Sequence, residues 1–432
     1  MASYMYKVLG TPTGTTKNTI SVWFKKVRLG SPSQGLIFAN GNAGGINLDT
    51  TALLQLYNAG GALKPNRVFR DLSAWYHVVV ATDTTLNTAD DRLKMYINGV
   101  QETSFATRTN PSQNAASNLG TATEHIIGAN NDPANYFDGL MSHIQMVDGL
   151  ALPPTEFGST DATTGEWKIK TSSYGTLGNN GFHITFDNPA DIGASTNSNN
   201  FTPNANLKPT QDNPSNVFAT LNPLDNFYGS ATFSNGNNTI VTGYSSSAAN
   251  TSNLGMVSGK WYCEIKAVNI YNGYAQFGIK GRVSTATNDK GGTGTDGYIY
   301  TANGGQKVNN NSYTSYGTVW NNNDIIGIAV DLDNNKLYFS RNGTWQNSGD
   351  PTSGATGTGS AFDLIAPTSG AYYFCTSDDD AGAVNTYQAN FGNGYFGTTA
   401  VSSAGTNASG NGIFEYDVPT GFTALSTKGL NL

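Results

Sequence analysis

The sequence predicts an all-β protein: two antiparallel β-sandwiches joined by an ordered irregular linker. Three observations carry that expectation. Apolar residues recur at a period of two in short runs, as in residues 19–27, where Ile20, Val22 and Phe24 alternate with Ser21, Trp23 and Lys25. Glycine- and asparagine-rich corners cut these runs, and one corner occurs twice: Leu93, Met95 and Ile97 lead into Asn98-Gly99, and Leu337 and Phe339 into Asn342-Gly343. Asn-Gly accepts positive φ at both central positions, as a type I′ hairpin turn requires. Finally, no window of a dozen residues carries a 3.6-residue period with helix caps.

In chain order, strands are expected at 19–27, 35–39, 53–57, 75–81, 93–97, 125–128 and 140–147, with one helical turn near Pro153-Pro154-Thr155-Glu156-Phe157. Residues 181–187 add another strand. The texture then changes: residues 188–223 hold five prolines among Asn, Ser and Thr, the best candidate boundary. Phe201, Val217, Phe218 and Leu221 are placed to pin this stretch to a neighbouring surface. Strands resume at 231–233, 239–241, 259–266 and 274–279. A long polar segment, 282–323, follows, rich in Gly, Asn, Ser and Thr. Residues 324–347 then read as a hairpin. Ile326, Ile328 and Val330 lie on one face of its first strand, and Ile325, Gly327 and Ala329 on the other, which predicts burial on both faces. Strands at 362–366, 371–375 and 387–392 complete the count. The resulting domains are 1–187, the linker 188–223, 224–397, and a C-terminal extension, 398–432, expected to pack on the body through its aromatics.

Composition excludes several classes. Hydrophobic residues make up 38% and aromatic residues 11%, enough to build cores, so a disordered polar chain is rejected although charged residues are only 12%. Net charge is −7 and no basic block occurs, which argues against nucleic-acid binding. Neither a signal-peptide stretch at the N-terminus nor a run of about 18 apolar residues appears, so no membrane insertion is expected. Without a secretion signal, Cys263 and Cys375 are expected to be buried free thiols, a disulfide requiring neighbouring strands. No heptads support a coiled coil.

The motifs carry a resemblance. Ala74-Trp75-Tyr76-His77-Val78-Val79-Val80, Lys94-Met95-Tyr96-Ile97-Asn98-Gly99 and Phe137-Asp138-Gly139-Leu140 resemble a laminin G-like, concanavalin-type jelly roll. Ser258-Gly259-Lys260-Trp261-Tyr262-Cys263-Glu264 and residues 324–343 resemble a SPRY domain, another sandwich. The order of these motifs is similar to that in a group of marine bacteriophage virion proteins. With them the chain shares Val147-Asp148-Gly149 leading to Phe157-Gly158, Asn200-Phe201-Thr202-Pro203-Asn204, Leu221-Asn222-Pro223-Leu224, and Pro419-Thr420-Gly421-Phe422-Thr423-Ala424-Leu425. The resemblance covers nearly the whole chain. It implies a tail-fibre, spike or capsid-decorating protein of the virion, assembled in the host cytoplasm, present in many copies or as a homo-oligomer among other virion proteins, and binding host-surface glycan or another receptor.

Catalytic signatures are poor. His77, His125, His143 and His183 all fall in expected strands, where structural histidines are the stronger reading. Glu264 reads as a solvated strand charge. No nucleophile elbow, zinc-protease motif or phosphate loop occurs, so the chain is expected not to be an enzyme. The expected ligand surface is the 282–323 segment, through Tyr298, Tyr300, Tyr313, Tyr316 and Trp320. Tyrosine supplies a broad ring at low entropy cost, while Asn and Ser supply adaptable hydrogen bonds. The competing reading is that these rings pack on their own domain or a neighbouring subunit. No cofactor is expected apart from a minority reading of Ca²⁺ at Asp132 and Asp138 or at Asp378, Asp379 and Asp380, hard oxygen ligands on loops. The alternatives to receptor binding are a purely structural capsid or tail component and a glycan-cleaving enzyme, which needs two opposed carboxylates.

Overall fold

The computed structural model describes residues 3–29, 34–39, 44–130, 135–204, 207–227, 231–243, 248–282, 289–379, 382 and 384–431. Two compact units divide the chain: residues 1–209 with 213–215, and residues 210–212 with 216–432. Among the described residues, regular structure is β-strand with a few single 3-10 turns, one of them Pro154–Glu156.

In the first unit, an eight-stranded antiparallel sheet runs in the order Phe105–Thr109, Gly61–Pro65, Leu54–Asn58, Gly44–Leu48, Gln34–Ala39, Glu124–Ile127, Met5–Val8 and Thr202–Pro203. A six-stranded sheet runs Phe182–Ile184, Gly139–Asp148, Lys17–Lys26, Tyr76–Asp83, Leu93–Ile97 and Val100–Gln101. Side chains from both sheets share one core, with Ile20, Val22, Phe24, Val78, Val80, Leu93, Met95 and Ile97 from the second. Period-two alternation is the cause, since each strand turns every other residue inward. Asn98 and Gly99 have φ of 48° and 80°, so the Asn-Gly corner forms the expected tight turn between Ile97 and Val100.

The second unit has the same two-layer logic. Its seven-stranded sheet runs Leu221–Asn226, Ala249–Ser252, Tyr373–Asp378, Ala275–Lys280, Gly297–Thr301, Gln306–Asn309 and Ser312–Ser315. The facing sheet is centred on Lys260–Asn269, Ile325–Asp331 and Lys336–Arg341. Ile325–Asp331 is buried along its whole length. Ile326, Ile328 and Val330 enter the core between the sheets. On the opposite face, Ala329, Tyr262 and Tyr338 are covered by Phe414, Val418 and Phe422 of the C-terminal segment. Thr423–Ala424 adds a short parallel pairing to Lys260–Asn269. Asn342 and Gly343, at φ 48° and 78°, repeat the tight turn. Cys263 and Cys375 are free and buried in different sheets, and burial pushes both thiols up.

The stretch 188–223, expected as a linker, is instead divided between the units. Phe201 packs edge-on to Phe182 at 4.8 Å in the first core, and Thr202–Pro203 pairs with Met5–Val8. Phe218 and Leu221 enter the second unit's clusters. Phe201, Phe218 and Leu221 each lie close to a core that takes them.

Candidate functional site

The 282–323 segment is not a loop. Apart from 283–288, which lie outside the described residues, it contributes the strands Gly297–Thr301, Gln306–Asn309 and Ser312–Ser315. Tyr298 and Tyr300 alternate inward with Ile299 between them, and both join the core. Trp320, 1% exposed, stacks on Phe277 at 4.8 Å. A ring in the core cannot meet a ligand, so the structure removes Tyr298, Tyr300 and Trp320 from the expected contact set. Tyr316 is half-buried, edge-on to Tyr300 at 5.7 Å. Tyr313 remains at the surface, 44% exposed, donating its hydroxyl to Asp379. Burial and that carboxylate push the phenol up.

Asp132 and Asp380 lie outside the described residues. Asp138 pairs with Arg28 at 2.7 Å. Asp378 is buried and accepts from the Ala248 N–H at 3.3 Å, whereas Asp379 is taken by Lys290 and Tyr313. Among the described residues, no group of three or more His, Cys, Asp or Glu side chains is arranged to hold a metal.

Two exposed tyrosines lie on one face of the first unit. Across its eight-stranded sheet, register aligns Met5, Ile127, Ile37, Ile46, Leu56 and Leu63 in one inward row. The neighbouring row, Tyr6, Ile126, Phe38, Gly45, Tyr57 and Ala62, points away from that core, but Ile126 and Phe38 within it are buried, so its exposed rings are Tyr6 and Tyr57. Tyr6 and Tyr57 are 39% and 43% exposed. Phe38 lies across Gly45, where an added Cβ would stand 2.4 Å from its ring. Glycine is required there to leave room for the buried phenyl ring. Tyr4, just before the strand that carries Tyr6, stacks on Tyr136 at 6.0 Å. In the next outward row, Asn47 donates to Gln55 at 3.2 Å. Tyr6 to Tyr57 spans four strand steps, about 19 Å at roughly 4.8 Å each. Tyr6 and Tyr57 thus present two exposed rings on this face, and the Tyr57 hydroxyl donates to the half-buried Gln55 at 3.5 Å. Sequence reasoning missed it. The available signal was the alternation Tyr4, Tyr6, Val8 near the N-terminus.

Two buried polar groups brace the sheets. On the outer face of the six-stranded sheet, His77 stacks between Trp23, at 4.5 Å, and Trp167, at 6.0 Å. The Trp167 indole N–H donates to His77 Nδ1 at 2.9 Å, so Nε2 carries the proton toward Ser21 Oγ at 2.8 Å. Burial drives this imidazole down to about 3, and it is neutral. In the second unit Glu264 is not a solvated charge: it is fully buried. Its carboxylate accepts from the Glu415 and Tyr416 backbone N–H groups at 2.8 Å, the Tyr262 hydroxyl at 3.1 Å and Asn390 Nδ2 at 3.4 Å. Burial pushes Glu264 up to about 7 against those four donors.

Comparison with known proteins agrees with these folds. Residues 6–156 match the family model of the Concanavalin A-like lectin/glucanases superfamily, and residues 260–371 that of the SPRY domain. The chain thus carries a laminin G-like, concanavalin-like domain followed by a SPRY domain. Among solved structures it is similar to the SPRY domain of human HERC1, at 17% identity and a TM-score of 0.32 over 39% of this chain and 96% of that one. A human SPRY domain is similar at 15% identity and a TM-score of 0.29, covering 38% and 95%. A protein from Bacteroides ovatus ATCC 8483, assigned as carbohydrate-binding, is similar at 13% identity and a TM-score of 0.31, covering 48% and 56%. No curated protein matches the chain.

Proposed function

We propose that this chain is a bacteriophage virion surface protein, a tail-fibre, spike or head-decorating component, that binds host-surface glycan without cleaving it. The observation that carries the binding reading is the pair of exposed tyrosines, Tyr6 and Tyr57, on one face of the first unit's eight-stranded sheet, with Gln55 accepting from the Tyr57 hydroxyl at 3.5 Å. Sugar rings present C–H faces that stack on such aromatics and hydroxyls that pair with amides. The matched superfamily's description includes lectins, which supports the same reading. The virion setting rests on the order of motifs along the chain. Glycan cleavage needs two carboxylates flanking the bond. Acidic side chains near these outward rows include Glu124, paired with Val8, and Asp49, which ion-pairs with Lys64 at 2.6 Å. Each site binds weakly, and many copies on a particle add avidity.

The test is adsorption of the purified chain to host cells and to a panel of their surface oligosaccharides. The Tyr6→Ala, Tyr57→Ala double variant is expected to lose about thirtyfold in binding with its fold intact, since each ring supplies on the order of 1 kcal/mol. Unchanged binding would sink the reading, and shortening of the oligosaccharide would overturn its non-enzymatic part.

A further inference from the structure

The strands Gly139–Asp148 and Phe182–Ile184 form one border of the six-stranded sheet, and each carries a histidine. The first strand is irregular there. Its register against Lys17–Lys26 shifts between Ser142 and Gln145, and His143 takes a left-handed φ of 45°. Such bulges re-aim a side chain. The His143 ring lies 5.5 Å from that of His183, tilted by 47°. His183 is 1% exposed, and neither of its ring nitrogens has a hydrogen-bond partner. A neutral imidazole always has one donor and one acceptor nitrogen. Leaving both unused in a buried position calls for a missing partner, water or ion.

We propose that His143 and His183 form a two-nitrogen site for a borderline divalent transition metal of the Zn²⁺ type. The separation fits: with Zn–N bonds near 2.0–2.1 Å, two imidazoles on one tetrahedral ion have centroids about 5 Å apart. His143 Nδ1 stands 2.9 Å from Ser142 Oγ, which holds the ring and leaves Nε2 as the ligand atom. The exposed Asp187 acts on both rings with a charge that favours a cation. No third side-chain ligand converges among the described residues, so water completes the shell and affinity is modest.

The experiment is calorimetric titration of the chelator-treated full chain with ZnCl₂, paired with thermal unfolding. Binding of one Zn²⁺ at roughly micromolar to tens of micromolar affinity is expected, with a rise in the first unit's melting temperature. His143→Asn, which suits a left-handed backbone and lacks the imidazole, should weaken binding about tenfold or more. His183→Gln should do the same. His125→Gln, on another strand, serves as the control and should bind as the parent does. No heat and no thermal shift up to about 1 mM Zn²⁺ would overturn the site. So would His143→Asn binding as tightly as the parent, which would leave water as the partner of His183.

Discussion

Tyr300 sits in a ring of aromatics, 5.5 Å from Phe339, 5.7 Å from Tyr316 and 6.1 Å from Trp320, and its hydroxyl donates to the Thr318 carbonyl. Removing that ring leaves a large cavity. Tyr300→Ala is expected to cost about 3–5 kcal/mol in urea unfolding, whereas Tyr313→Ala at the surface should cost within about 1 kcal/mol. Equal losses would contradict the burial assigned to these two residues. The contrast also explains why the site was only partly legible. Tyrosine suits both a core and a binding face, and its identity does not say which. Tyr298 and Tyr300 alternate around Ile299 as strand residues do, but the surrounding glycines and asparagines resemble a loop. Tyr4 and Tyr6 show the same alternation, and their outward direction depends on pairing with Glu124–Ile127, far along the chain.

Among the elements, the C-terminal segment depends most on one side chain. Glu264 binds two consecutive backbone N–H groups of that segment, at Glu415 and Tyr416. Its folded pKa, about 7, exceeds the ordinary 4.5. Between those values the folded state holds more protons than the unfolded one. The contribution is therefore full below about pH 4.5 and is lost as pH rises through about 7. Glu264→Gln sets an NH₂ against a backbone donor, so it should destabilise the second unit by about 2 kcal/mol and flatten its stability between pH 5 and 8. Denaturant titrations at those two pH values measure both effects, and an unchanged slope would refute the assignment. The paired hairpins ending in Asn98-Gly99 and Asn342-Gly343 were legible because turn chemistry is local. The Glu264 clamp was not: its partners lie some 150 positions away, and a lone strand glutamate gives no sign of them.

For the whole molecule, the titrating groups are unevenly shared. All four histidines fall within the first unit, where burial holds His77 near 3 and His125 near 4, both below the ordinary 6.5. Folded histidines so lowered contribute stability that is present above about 6.5 and lost as pH falls below it, at about 2 kcal/mol each by pH 5. Acidification from pH 7 to 5 should thus weaken the first unit while the Glu264 contribution to the second grows. Calorimetry is expected to show two transitions moving apart, and a shift of both by the same sign and size would contradict this. The layered β architecture was legible as a whole because period two repeats in every strand. The face proposed to bind was not, because it exists only once six strands are in register. The central claim is that this face meets glycan. Its most direct measurement is NMR of the tyrosine rings, isotope-labelled and assigned by substitution, during titration with host-surface oligosaccharide. The account predicts shifts at Tyr6 and Tyr57 while Tyr298 and Tyr300 stay still. Shifts confined to Tyr313, or to no tyrosine while binding occurs, would contradict it.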